Sequence, residues 1–233
     1  MFLLVAFLLA NPAVLAEADS LFAYGANHAN ELQGLAVLER ASASEPDDYD
    51  LLWRLARAYY SVADGAPANQ KISYFSSGIE AGKRAIARKP DAVEGHFWLA
   101  AAWGGYCQEK GGLTAFRNVS QVRSEFEVVI RLNDAYEEGT AYMALGEIDR
   151  QLPGLFGGDL KRAIATLEHG LKIAPENPEL KLALANAYLD ARRKNDGIAQ
   201  LHELVRLELH SPRIEPGRRA QEKAQKLLIR LEK

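Results

Sequence analysis

Apolar positions in this chain fall three and four residues apart over long stretches. That spacing lines one face of an α-helix, and no stretch shows a convincing two-residue alternation of a strand. The helical stretches are of two kinds. One ends in a small residue, an apolar pair and a closing Pro or Asp: "LAVLERASASEP" closes at Pro46, "GIEAGKRAIARKP" at Pro90, "SEFEVVIRLND" at Asp134 and "AIATLEHGLKIAP" at Pro175. These closing residues lie 44, 44 and 41 residues apart. After each comes a helix of the second kind, marked by Leu followed by a small residue: Leu55-Ala56, Leu99-Ala100, Leu145-Gly146 and Leu184-Ala185. The pattern predicts an all-α chain of about four stacked helix pairs and a terminal helix.

A small residue is needed where two helix axes cross closely, with large apolar residues around it. Proline stops the second helix of each pair because it has no N–H to donate and restrains the residue before it. Each pair leaves an apolar face uncovered, so pairs must stack and the ends must be capped. The residues that follow this logic resemble the tetratricopeptide repeat, a unit of about 34 residues. Tyr142, Leu145, Gly146, Ala163, Leu167, Gly170 and Pro175 give the best match. Leu52, Leu55, Ala56, Tyr59, Gly78, Ala85 and Pro90 give another, and His96, Leu99, Ala100, Trp103, Val122, Phe126, Val129 and Asp134 a third. The fourth unit, Pro178 through Tyr188 to Ala199, is degenerate in its second helix. The resemblance implies a right-handed helical-repeat superhelix. The extra unit length is expected in the connections, at 63–73, 104–117 and 152–158, with Gly104-Gly105 ending a helix.

At 233 residues, 48% hydrophobic and 25% charged, the chain is an ordinary globular one. Its net charge of -3 gives no basic footprint for nucleic acid. The single Cys107 excludes an internal disulfide framework and a Cys-rich zinc site. Phe2–Ala10 is an uncharged apolar run followed by a small-residue exit, with cleavage expected after Ala16 or Ala18. It is too short to span a bilayer, lacks a preceding Lys or Arg, and is followed by no lipidation cysteine. This divides the chain into a signal-like segment 1–16, a repeat domain 19–210 and a C-terminal capping helix 211–233. The expected location is exported, periplasmic or secreted. The last segment, from Arg213, is amphipathic with seven basic and three acidic residues, the polar outer face a terminal cap requires.

None of the five histidines is spaced for a metal on one helical turn. His96 and Cys107 are eleven residues apart, about 16 Å along a continuous helix, too far for a nucleophile and its base. The strings "WGGY", "EKGG" and "LFGGD" lack the phosphate-loop order and follow helices. No cofactor, metal or catalytic residue is implied, and the chain reads as a non-enzymatic binding module. The aromatic cluster Phe97, Trp98, Trp103 and Tyr106 reads first as core, then as recognition surface.

Three strings, at 96–111, 139–159 and 167–189, resemble the T component (TatT) family of TRAP-type transport systems. A weaker likeness links the same region to the eukaryotic regulator-of-microtubule-dynamics proteins. The TatT resemblance implies an accessory component of a TRAP-type system in the periplasm, a solute-binding protein as partner, and a homo-trimer. The alternative is a carrier holding a small hydrophobic ligand in the cleft between repeats. Tetratricopeptide proteins bind partners on the concave face made by their first helices. By position, that face implies Trp53, Arg57 and Tyr60 in the first unit, and Phe97 with Ala101 and Gly104 in the second, together with Trp103. Met143, Glu147 and Arg150 follow in the third, and Asn186 and Asp190 in the fourth.

Overall fold

The computed structural model describes residues 12–23, 27–210 and 214–232. The apolar run Phe2–Ala10 therefore lies outside the described residues. Eleven α-helices and two short 3₁₀ turns make up the regular structure described, with no strand among the described residues. The chain forms two compact units, residues 1–125 and 126–233. The first holds α1 (Pro12–Leu21), α2 (His28–Ser44), α3 (Tyr49–Gly65), α4 (Ala68–Arg88), α5 (Val93–Lys110) and most of α6 (Gly112–Leu132). The second holds α7 (Thr140–Gln151), α8 (Leu160–Ile173), α9 (Pro178–Asp190), α10 (Lys194–Arg206) and α11 (Ile214–Leu231).

The repeat logic of the sequence is realised in the core. The four Leu–small pairs fall on α3, α5, α7 and α9, and all eight residues are buried. Gly82 and Gly146 show why these positions stay small. A Cβ on Gly82 would meet the Leu99 backbone and Cβ at 2.9–3.2 Å, and one on Gly146 would meet Leu167 Cγ at 2.5 Å. Leu38 and Leu51 are fully buried in the first unit, Leu167, Leu180, Leu201 and Leu204 in the second. The closing prolines also set the next helix. Two residues after Pro46, Asp48 accepts from the Leu51 N–H at 2.9 Å; two after Pro175, Asn177 accepts from Glu179 and Leu180. Each side chain satisfies a first-turn donor that has no partner inside its helix.

The structure corrects three expectations. The extra unit length lies in long helices, 17 to 21 residues each from α3 to α6, while only Ala66-Pro67 and Gly111 separate the paired helices there. Gly104-Gly105 does not end a helix, since α5 runs unbroken to Lys110. Gly105 is small because the Phe75 ring packs against it: an added Cβ would fall 2.3 Å from that ring. The second helix of the fourth unit is well formed, with Gly197, Leu201 and Leu204 of α10 buried. Among the three expected connections, 152–158 alone is a true insertion, containing a 3₁₀ turn at Gly154–Phe156.

A further helix precedes the first expected unit. Helix α1 buries Ala18 completely, and Val14, Leu15 and Leu21 pack on the cluster formed by Leu35, Leu38, Leu51 and Val62. It runs through both expected cleavage points. No helix among the described residues is long and apolar enough to cross a membrane.

Candidate functional site

In the first unit, the expected partner residues fall into two clusters and one outlier. Trp53 and Arg57 stand on α3 one turn apart, with Arg54 between them. Arg54 lies over the Trp53 ring at 4.2 Å and Arg57 over it at 5.2 Å. Both guanidinium groups converge on Asp19 of α1. Arg54 donates through Nε and Nη2 at 2.9–3.1 Å, and Arg57 through Nη2 at 2.5 Å. Burial pulls the Asp19 carboxyl upward, but the hydrogen bonds and charges of the two arginines outweigh it and hold the group below the ordinary carboxylate range. Arg54 and Arg57 thus fasten α1 to α3, and that pairing fixes both guanidinium groups beside the Trp53 ring.

Tyr60 joins the second cluster through Trp98, whose ring lies 5.9 Å from Tyr60 and 5.0 Å from Phe97; the Phe75 ring sits 6.0 Å from Tyr60. Phe97 is 5% exposed and therefore packs in the core, so Trp98 is the α5 side chain that lies beside Tyr60. Gly104 lies open, with nothing within 4 Å of an added Cβ, whereas Gly105 packs under the Phe75 ring. Trp103 faces elsewhere. It packs with Ile79, Leu99 and Ala102, edges on Tyr106 at 5.6 Å, and lies under Lys83 of α4 at 5.8 Å.

In the second unit, three of the expected residues meet. Arg150 of α7 donates to both carboxylate oxygens of Glu147, at 3.0 and 2.8 Å, and to Asp190 of α9 at 2.7 Å. The bond to Glu147, then that to Asp190, hold Arg150 firmly protonated against the pull of burial. Two carboxylates against one guanidinium leave this bridge between neighbouring first helices net negative. Asn186 lies half-buried one turn before Asp190, and Met143 packs at the edge of the core. Sequence reasoning missed Asp19, Arg54 and Trp98. Only Trp98 had a visible signal, its place within the aromatic cluster.

His96 and Cys107, both on α5, are engaged in the fold. His96 donates from Nε2 to the Pro90 carbonyl at 2.8 Å, and its Nδ1 lies 2.6 Å from the Glu125 carboxylate. The ring is committed to tying α5 to its neighbours. Cys107 is buried, and that burial pushes its thiol up, away from the reactive thiolate. Two grooves have mixed polar and apolar walls. One of about 610 Å³ in the first unit is lined by Glu39, Tyr59, Ser73, Ser77 and Arg84. One of about 350 Å³ in the second has Glu138, Glu176 and Asn177 beside the apolar Ile173, Ala174 and Leu209.

Known proteins share both the fold and the sequence. A thermophilic TPR protein of Thermus thermophilus superposes with a TM-score of 0.65 at 22% identity, over 92% of this chain and 98% of that one. MamA superposes with a TM-score of 0.53 at 16% identity, over 85% of this chain and 92% of that one. These likenesses establish the tetratricopeptide fold, and residues 157–215 match the tetratricopeptide repeat family directly. Regulator of microtubule dynamics protein 1 of Bos taurus is 32% identical over 91 residues, 38% of this chain and 29% of its own length. Regulator of microtubule dynamics protein 3 of Rattus norvegicus is 24% identical over 159 residues, 68% of this chain and 33% of its own length. The alignments thus span about a third or less of these relatives. The family match falls on the weaker of the two sequence likenesses and not on the transport family. Residues 14–149, more than half of the chain, match the profile of regulator of microtubule dynamics protein 1-3, and the chain belongs to that family.

Proposed function

We propose that this chain is a non-enzymatic protein-binding scaffold whose partner lies along the first-helix faces of the repeats. The observation that carries this reading is the Glu147–Arg150–Asp190 bridge, a charged network joining neighbouring first helices, part-exposed and fixed in place before any partner arrives. Preorganisation lowers the ordering cost of association. A net negative bridge favours a partner segment carrying basic side chains. The relatives are named as regulators of microtubule dynamics, which makes tubulin the first partner to assay.

The finer reading from the sequence, an exported accessory component of a TRAP-type system that pairs with a solute-binding protein and forms a trimer, rests on three local strings and the apolar run at 2–10. It makes a solute-binding protein the second partner to assay. Cell fractionation of the chain with and without residues 2–16 tests export, and sedimentation equilibrium tests the trimer. The alternative, a carrier of a small hydrophobic ligand, draws on the apolar wall of the second-unit groove, Ile173, Ala174, Pro175 and Leu209.

Surface variants provide the test of the scaffold reading. Asp190→Lys in the full chain, with helicity checked by circular dichroism, reverses the net charge of the bridge and should weaken binding of the true partner at least about tenfold. Lys172→Ala on α8 should leave it unchanged. Equal binding by both variants, or loss with Lys172→Ala alone, would place the interface elsewhere.

A further inference from the structure

The connection between α7 and α8 combines two properties that seldom occur together. It is rigid, and it holds large apolar side chains out in solvent. Leu155 is 97% exposed and Phe156 56% exposed, within the seven-residue uncharged run Leu152–Gly158. The exposure does not come from looseness. Phe156 N–H donates to Pro153 O at 2.8 Å, Gly157 to Gly154 O at 3.1 Å and Gly158 to Pro153 O at 3.2 Å. At the base, Arg162 donates from Nε and Nη2 to the two oxygens of Asp149, 2.6 Å each, and from Nη2 to Gly157 O at 2.6 Å. Asp149 itself is 2% exposed. Gly157 has φ +87°, and a Cβ on Gly158 would overlap the Leu152 carbonyl, so both positions require glycine.

We infer that this loop is a membrane-surface anchor, with Leu155 and Phe156 entering the headgroup and upper acyl region of a lipid bilayer. Three features favour lipid over a protein pocket. Two side chains supply far less than the ~800 Å² per partner of a standard protein interface. They are nevertheless enough to add to reversible interfacial binding, which scales with buried apolar area. The backbone donors of Phe156, Gly157 and Gly158 are already satisfied inside the loop, so immersion does not strip them of partners. The run carries no charge to drag from water, and the exposed Lys161 just beyond it can reach anionic headgroups. This anchor is independent of the partner face proposed above.

An environment-sensitive fluorophore on Leu155→Cys in the full chain tests the inference. The native thiol of Cys107 is buried and labels slowly. Vesicles of phosphatidylcholine, with and without phosphatidylserine, should shift the probe's emission to the blue, while the same probe on Lys172→Cys stays in an aqueous environment. The double substitution Leu155→Ser/Phe156→Ser should lower vesicle partitioning by about tenfold or more. An unshifted probe in the presence of vesicles, the result expected of a tip that seats in a protein pocket, would overturn the inference. So would a double variant that partitions like the parent chain.

Discussion

The two adjacent glycines of α5 offer a sharp test of how this repeat is packed. Gly104 and Gly105 sit in mid-helix, where glycine costs about 1 kcal/mol relative to alanine. Around Gly104 an added Cβ meets nothing within 4 Å. Gly104→Ala should therefore stabilise the first unit by about 1 kcal/mol. At Gly105 the same methyl would fall 2.3, 2.4 and 2.8 Å from three ring atoms of Phe75. That ring is 5% exposed and cannot swing into solvent. Overpacking of this kind costs about 1–3 kcal/mol, and a buried aromatic ring puts it at the upper end, so Gly105→Ala should lose a net of about 2 kcal/mol. Neighbouring substitutions of the same chemistry thus carry opposite signs. All three tryptophans, Trp53, Trp98 and Trp103, lie in the first unit, so urea titration followed by tryptophan fluorescence reads that unit by itself. Phe75→Leu added to Gly105→Ala should recover part of the loss. Two stabilising substitutions would mean that Phe75 does not press on α5. Two destabilising ones would mean that the helix ends at the glycine pair.

Three more outcomes follow from named contacts. Asp19, held below its ordinary pKa by Arg54 and Arg57, contributes stability that is present above the unfolded carboxylate range and lost as pH falls through its folded value; melting curves of Asp19→Asn and the parent chain should differ at neutral pH and converge below about pH 4. Deleting residues 1–16 removes Val14 and Leu15 from the core of the first unit and should lower its urea midpoint, by about 2 kcal/mol or more of stability; an unchanged midpoint would show that α1 is dispensable. Arg162→Met strips the buried Asp149 of its bidentate partner, which, discounted for the half-exposed guanidinium, should cost about 1–3 kcal/mol and speed proteolysis between 152 and 158. Resistance of that loop equal to the parent's would show that the ion pair does not fix it.

The parts of this fold that were legible in the sequence are those where one residue type has one physical meaning at its position. Leu55-Ala56 and its three counterparts mark helix crossings whatever surrounds them, and Pro46 and Pro175 stop a helix in any context. Gly105 is the opposite case. A glycine that ends a helix and one that admits a neighbour's ring look alike until Phe75, thirty residues earlier, is placed against it. Helix α1 was obscured for a similar reason: the apolar character of Val14 and Leu15 does not show that they pack on the cluster of Leu35 and Leu38. The contacts along the expected partner face were the least legible, because they depend on register and on pairs distant in sequence. One residue of drift along α5 separates buried Phe97 from Trp98, and Asp19 lies 35 and 38 residues from the arginines it joins. The consequence bears on function. On α3, Arg57 is already occupied by Asp19 of α1, whereas on α7 and α9 the bridge engages only members of the same face. A partner that needs Arg57 must therefore displace Asp19, but one that reads Glu147 and Asp190 meets a surface already assembled, and the second unit is where binding should be sought first.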